Sequence, residues 1–472
     1  MADFDATESL KAAANPFRVI DPEKIPASRF YDEEFFNLEA EHMWSRTWQM
    51  ACRLETIPEI GDWVEYTILG KSVIVVNTKD GVKAHHNHCR HRGVPIAGGH
   101  GNDRGNCAKT GFICPFHGWR WNMEGDCTFV YGKQLFNQDL LEAEDLKLRS
   151  VRCETWGGCA YINLDDNALS YVETMGSALD GLDARGIGNL RAEWWYGTVL
   201  PANWKIAMEA FQEGYHVMKT HPQLQQATPV LYNSRYGNDT GGQGPAINPD
   251  MSARDNILSQ FAQFELLSEG MAGLVHAKEL EIARQCLDVE LPDDPAVAVP
   301  MWFGLVMDEV TKQLRARGEN IPDIREAATK YPLDALQFNF PNSFVLVFFS
   351  GMTSYRVRPL TPETCLFEIW SLTNFPEGQE PDPVLEPIML PYDSKEFPKI
   401  PQQDYSNIPI QQKGMHSQGF EYMRLSRVRE GLISNNHRVI DGFIAGHSHA
   451  RLAPAIQQLS LNFDGPILEF DL

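Results

Sequence analysis

Two short groups of side chains could bind a metal together: Cys89-Arg90-His91 and Cys114-Pro115-Phe116-His117. The 22 residues 92–113 separate them. Each group pairs a soft thiolate with a borderline imidazole, a donor set that suits zinc or iron–sulfur chemistry. Gly93, Pro95, Gly98, Gly99, Gly101, Pro115 and Gly118 surround the four donors and supply sharp turns. The flanking segments read as strands. "DWVEYTIL" alternates, "KSVIVVNT" is β-branched, "GVKAHHNHC" follows the turn "TKDG", and "GWRWNMEGDCTFVY" reads as a hairpin about Glu124-Gly125-Asp126. The donors therefore sit at two loop tips on a small β scaffold.

Three readings of these donors compete. Scattered core thiols and surface histidines would need two Cys/His pairs to fall in Gly/Pro loops by chance. A structural Cys2His2 zinc site accepts the ligand set, although a zinc finger would follow it with a His-x3-5-His helix. A Rieske [2Fe–2S] centre uses two thiolates on one iron and two imidazoles on the other. Cys89 and Cys114 would then bind the inner iron, and His91 and His117 the outer one. Cys107 lies in the spacer and reads as a packed thiol. The other six cysteines, at 52, 127, 153, 159, 286 and 365, read as core residues.

"CRHRG" and "CPFHGW" resemble the two halves of the Rieske motif in Rieske non-haem iron oxygenases, of the type whose large (alpha) subunit hydroxylates aromatic rings. The spacer is longer than in these enzymes, and "AGGHGNDRGN" reads as a surface extension. An oxygenase needs a second metal site, and "NWKIAMEAFQEGYHVMKTHP" at 203–222 offers one. Trp204, Ala207, Met208, Phe211 and Tyr215 follow helical spacing. His216 and His221 are five apart, so the helix is expected to loosen after His216, and Pro222 biases His221 away from the helical region. Two imidazoles and one carboxylate on one face of Fe(II) leave positions open for O2 and substrate. The alternative is a pair of satisfied histidines. The resemblance implies a carboxylate on a late helix, and "QQDYSNIPIQQKGM" puts Asp404 there, with Asp393 and Asp441 as substitutes.

Glu213 precedes His216 by three residues and reads as lying on the same helix face. The resemblance implies a carboxylate near this position that bridges the two metal sites. "EGYH" is similar to members that act on quaternary amines or remove methyl groups, and "EAFQEGYH" is one residue shorter than the dihydroxylase pattern. Met208, Phe211, Gln212, Phe340 and Phe348 are the candidate pocket residues. The main expectation is a terminal oxygenase for an apolar, aromatic substrate. The rival enzyme is an N- or O-demethylating monooxygenase. From other classes come a pure electron-transfer Rieske protein, which has no use for His216 and His221, and a zinc-bound structural protein.

The resemblance implies an α+β fold: a small all-β Rieske domain at 46–165, and a catalytic domain of antiparallel sheet wrapped by helices at 166–472. Residues 1–45 are expected to be a helical arm of the catalytic domain. "LQFNFPNSFVLVFF", "TSYRVRPL" and "CLFEIWSLTNF" fit its central strands. Residues 250–330 read as a helical insertion of amphipathic helices with a Pro-rich break, serving as a pocket cap, a subunit contact or core. The implied partners are a reductase and a ferredoxin as electron donors, O2, two further copies in a head-to-tail homotrimer, and a small beta subunit. Lys and Arg total 41 against 63 Asp and Glu, a net charge of −22 that argues against nucleic acid or an anionic membrane. "MADFDATESLKAAANPF" lacks a charged-then-apolar signal pattern, and no apolar run is long enough to span a bilayer. Nine cysteines without regular spacing suit a reducing, cytoplasmic setting. On this reading, purified protein is red-brown. Changing His91 or His117 to Ala abolishes the Rieske electron paramagnetic resonance signal, whereas a colourless protein would point to zinc.

Overall fold

A computed structural model of the chain describes residues 15–98, 104–236, 247–271, 273–332, 336–470 and 472. Gly99 and Gly101, with half of the spacer extension, lie outside these residues. The chain divides into two compact units. One is Leu38–Glu173; the other joins the described residues up to Asn37 to Thr174–Leu472. The division falls inside a helical segment, before the last residue of the α-helix Glu33–Leu38, which the wider π turn Glu39–Met43 follows.

In the smaller unit a seven-stranded antiparallel sheet runs in the order Gln49–Arg53, Cys159–Asn163, Ser150–Trp156, Gly81–His86, Lys71–Thr78, Asp62–Ile68, Arg104–Asn106. Val73, Ile74, Val75 and Val76 are fully buried, so their strand reads as a β-branched run rather than an alternation. Leu69 and Gly70 join it to its neighbour, both with positive φ, as a tight two-residue hairpin requires. A second, three-stranded sheet comprises Phe112–Ile113, Arg120–Trp121 and Cys127–Phe129. Ile74, Val76, Ile96, Phe112, Trp119, Trp121 and Leu148 form the core between the sheets, with Cys89, Cys107 and Cys114 packed into it.

The larger unit is built on a six-stranded sheet in the order Leu336–Asn339, Ser343–Val347, Met352–Thr361, Thr364–Thr373, Arg191–Leu200, Ile388–Met389. All its pairs are antiparallel except the last two-residue edge, which runs parallel to Arg191–Leu200. Arg356 and Glu368 face each other in register and form a buried two-pronged pair at 2.7 and 2.8 Å. Burial pushes the Glu368 carboxyl up, but Arg356 and Arg358 outweigh it and hold it below the usual carboxylate range. Helices Ala253–Met271, Ala277–Gln285, Pro295–Ala316 and Ile324–Lys330 form a layer with its own apolar core, centred on Phe261, Phe264, Trp302, Val306 and Val310. Phe348 belongs to that core, against Phe264 and Phe303. The nine cysteines are free thiols, with Cys127 and Cys153 half-buried and the rest buried.

The N-terminal segment is fastened to the larger unit by Arg29, which is 1% exposed. Its Nη1 donates to Asp441 Oδ1 at 2.6 Å and to the Phe17 carbonyl at 2.8 Å. Its Nε donates to His437 Nδ1 at 3.0 Å. Arginine can only donate, so His437 Nδ1 accepts and its Nε2–H donates to Glu209 Oε1 at 2.7 Å. Burial, with the Arg29 and Lys205 charges, keeps this imidazole neutral. Asp441 thus has a structural partner, and Asp393 is exposed. Arg29→Leu is expected to cost about 3–5 kcal/mol in denaturant unfolding, because it strands a buried carboxylate. A loss below about 1 kcal/mol would show that the network does not bear on stability.

Candidate metal centres

The two Cys/His loops share one backbone design. Cys89 N donates to the Val94 carbonyl at 2.7 Å, and Gly93 N donates to the Cys89 carbonyl at 2.9 Å. In the second loop Cys114 N donates to the Trp119 carbonyl at 2.8 Å, and Gly118 N to the Cys114 carbonyl at 3.0 Å. Gly93 and Gly118, each four residues after its cysteine, have φ of +79° and +70°, a region that favours glycine. The side chain of Asn87 braces the first loop by accepting from Ile96 N and Ala97 N at 2.9 and 3.1 Å.

The loops differ in where histidine stands: two residues after Cys89, three after Cys114. The rings of His91 and His117 nevertheless meet at 4.7 Å between centroids. His91 is half-buried and stacks on Trp119 at 4.8 Å, whereas His117 is exposed. Cys89 and Cys114 are each 2% exposed. Burial pushes the Cys89 thiol up to about 11, against the N–H groups of His91 and Arg92 that point at its sulfur. Such donors would stabilise a thiolate held by a metal. His91 Nδ1 is buried without a hydrogen-bond partner among the described residues.

In the larger unit, His216, His221 and Asp404 converge, with one ligand atom of each within 4.8 Å of the others. Asp404 Oδ1 lies 3.1 Å from His221 Nε2 and 3.7 Å from His216 Nε2. Each imidazole is turned by a contact at its other nitrogen. His216 Nδ1 meets Glu213 Oε1 at 2.8 Å, and His221 Nδ1 meets Gln403 Oε1 at 2.8 Å. A proton on each Nδ1 leaves both Nε2 lone pairs aimed at Asp404. Gln403 is in turn paired with Gln223 at 2.8 and 3.1 Å. Burial works against charge on His216, but Glu213, by hydrogen bonding and charge, and Asp404 outweigh it and raise its pKa to about 9. Asp404 Oδ2 is buried with no partner among the described residues. Convergent lone pairs, a carboxylate and a field favouring positive charge fit a divalent cation.

The local structure departs from the spacing argument at one point. The helix Trp204–Glu209 ends before His216, not after it. His216 instead caps the short helix Val217–Thr220, and His221 closes it with φ −118° and ψ 62°, outside the helical region as Pro222 requires. Glu213 therefore shares no helix face with His216. It folds forward across a turn, its Oε2 accepting from His216 N at 2.9 Å. Asp404 is 3% exposed on the helix Lys399–Met415.

Of the candidate pocket residues, Met208 is fully buried on Trp204–Glu209. Phe211 packs on Phe344, Tyr355 and Phe367 at 4.9, 5.3 and 5.6 Å. Gln212 is 1% exposed, and neither amide heteroatom has a partner among the described residues. Phe340 instead stacks on Phe443 and meets Phe338 edge-on. Sequence reasoning missed Gln403 and Gln223; the only signal was that Gln403 adjoins Asp404.

A family model of the Rieske [2Fe–2S] domain matches residues 47–134, and one of the ring hydroxylating alpha subunit (catalytic domain) matches 180–276 and 308–446. The chain belongs to this family. As a ring-hydroxylating alpha subunit it has the domains that bind a Rieske [2Fe–2S] cluster and a mononuclear Fe(II). The carnitine monooxygenase oxygenase subunit of Escherichia coli (strain K12) is 28% identical over 225 residues, 46% of this chain and 57% of its own length. The large oxygenase component of the naphthalene 1,2-dioxygenase system of Pseudomonas fluorescens is 31% identical over 257 residues, 53% and 54% of the two chains. The chain thus spans about half the length of the curated relatives it matches. Over the whole fold it resembles naphthalene 1,2-dioxygenase with indole bound, with a TM-score of 0.62 at 19% identity over 94% of this chain and 97% of that one. A quaternary ammonium Rieske monooxygenase aligns with a TM-score of 0.57 at 15% identity over 90% and 96%. Among the described residues no helix is long and apolar enough to cross a membrane.

Proposed function

We propose that this alpha subunit is a terminal oxygenase whose cluster is held by Cys89, His91, Cys114 and His117 and whose Fe(II) is held by His216, His221 and Asp404. The convergence of the last three side chains, from segments almost two hundred residues apart, carries the reading. It also separates an oxygenase from an electron carrier, which needs one metal site only. When bound, the cluster supplies single electrons and the Fe(II) activates O2 for insertion into a substrate. The chain's own contribution is orientation. Glu213 and Gln403 fix the ring planes of His216 and His221, and the buried Asp404 fixes the third direction.

We further propose an apolar, aromatic substrate. The wall of Phe211, Phe344, Tyr355 and Phe367 supports it, and Gln212 adds a point for hydrogen bonding. Met208, buried on the helix before Phe211, is the further proposed pocket residue, whereas Phe340 packs against Phe443 and Phe338, apart from this group. Demethylation is the second reading, favoured by Glu213-Gly214-Tyr215-His216 and by the likeness to the N,N-dimethyl phenylurea N-demethylase subunit alpha of Sphingobium, 28% identical over 232 residues.

Assembly is part of the proposal. His117 is exposed beside Phe116, and the same unit also exposes Phe129, Tyr131, Leu135 and Leu140, the five being 44–82% exposed. Such apolar side chains on the small unit suit docking against another subunit. In a head-to-tail homotrimer, Glu213 would bridge His216 of its own chain to the neighbouring copy's outer-iron histidine. A reductase and a ferredoxin in the cytoplasm would supply electrons; a small beta subunit is a further proposed partner.

Asp404→Ala is expected to lose mononuclear iron by metal analysis while keeping the Rieske spectrum; normal iron content would overturn the ligand assignment. Gln403→Leu should weaken iron affinity by about 10–100-fold, the usual effect of losing a partner behind a metal-bound imidazole. Glu213→Gln should slow single-turnover oxidation of the reduced cluster by at least about tenfold with both metal centres intact. Product analysis on aromatic and N-methyl substrates with a surrogate reductase distinguishes hydroxylation from demethylation. Absence of any oxygenated product on a panel spanning both would count against the oxygenase reading.

A further inference from the structure

The turn that presents Glu213 is held from a distant part of the chain. Between Trp204–Glu209 and Val217–Thr220 the backbone leaves regular helix, so the direction of Glu213 must be set by other contacts. Gly214 N donates to Asp464 Oδ1 at 3.4 Å, across 250 residues. The hydroxyl of Tyr236 donates to the same carboxylate. It also lies so close to Gly214 that a Cβ there would sit 2.0 Å from the oxygen. Arg235 Nε and Arg429 Nη1 each approach Asp464 Oδ2 at 3.5 Å. Asp464 is 3% exposed and adopts φ +51°, a region costly for a residue with a side chain. A buried, conformationally strained carboxylate with two arginines, one phenol and one backbone N–H around it is a built anchor, and its target adjoins Glu213.

We propose that Asp464 is a positioning residue for Glu213: it clamps the Gly214 amide, with Tyr236 packed behind, so that the Glu213 carboxylate folds onto His216. This rests on the proposed role of Glu213 between the two metal sites. Gly214 is required because any side chain would displace the Tyr236 hydroxyl. These contacts join Asp464 to none of His216, His221 and Asp404, so its effect has to pass through the turn.

The test compares Asp464→Ala, Asp464→Asn, Tyr236→Phe, Glu213→Gln and the double variant Glu213→Gln/Asp464→Ala in the full-length protein carrying both metal centres. The readout is single-turnover oxidation of the reduced cluster with O2 and substrate. Asp464→Ala is expected to slow oxidation by about tenfold, within the range for groups that orient metal-bound histidines. Asp464→Asn, which keeps an acceptor for Gly214 N, should recover at least half of that loss on a logarithmic scale, and Tyr236→Phe should lose about two- to fivefold. The deciding result is the double variant. If Asp464 acts through Glu213, it is no slower than Glu213→Gln alone. Multiplied losses, or an unchanged rate in Asp464→Ala, overturn the proposal. If Asp464→Ala does not fold, Asp464→Asn and Tyr236→Phe, each combined with Glu213→Gln, carry the same comparison. An unchanged rate in Glu213→Gln with a loss in Asp464→Ala refutes positioning through Glu213 and also removes the bridging role, whereas a loss in Glu213→Gln alone leaves that role standing and sinks only Asp464.

Discussion

A carboxylate almost wholly removed from water sets the terms for the larger unit. Asp404 has one oxygen 3.1 Å from His221 Nε2 and the other without a partner among the described residues. A buried charge is tolerated only when it is paired or holds a cation. The two imidazoles cannot both serve as counter-ions by simple protonation without repelling each other, since their rings meet at 5.2 Å. A cation between all three groups would satisfy the whole set at once, and the contacts behind it suit that role. Glu213 and Gln403 turn the rings outward-nitrogen first, and Gln223 fixes Gln403. The helix Lys399–Met415 must then hold its buried face, with Ile400, Tyr405 and Ile408, against the rest of the unit to keep Asp404 in place.

The two Cys/His loops answer a different constraint. Their donors are only residues apart, so local backbone rules suffice: a cysteine N–H reaching the carbonyl five residues on, and a glycine with positive φ at the fourth position. That is why the motif was legible from types and spacing alone. The strands beneath it were legible for the same reason, since "KSVIVVNT" coincides with the strand Lys71–Thr78. What spacing did not disclose is the asymmetry between the two imidazoles, one stacked on Trp119 and one exposed. It follows from histidine standing at the second place in one loop and the third in the other.

The second site was only half legible. His216 and His221 stood out by proximity, but Asp404 is 183 residues beyond His221, and only the resemblance pointed to it. The helix end was misread because periodicity reports burial, not backbone geometry. Trp204, Ala207 and Met208 are fully buried and do lie on a helix, whereas Tyr215, counted in the same stripe, is 56% exposed. Local propensity does not stop the helix at Glu209. Phe211 reaching the sheet at Phe344, and Gly214 held by Asp464, are contacts with residues more than a hundred positions away, and no window of sequence contains them.

The same distance argument explains why substrate choice is the least legible property. The aromatic wall draws Phe211 from a turn, Phe344 and Tyr355 from neighbouring strands in register, and Phe367 from a third strand. Adjacent strands bring these rings together by alternation, so a shift of one residue in any strand would replace the wall with residues of the other face. The register is pinned far from the pocket chemistry, in part by the buried Arg356–Glu368 pair, which lies on the opposite face because 355 and 356 alternate, as do 367 and 368. An aromatic wall of this kind is held in place by residues that are not part of it. The polar fork on one side of the sheet and the aromatic wall on the other are two consequences of a single register.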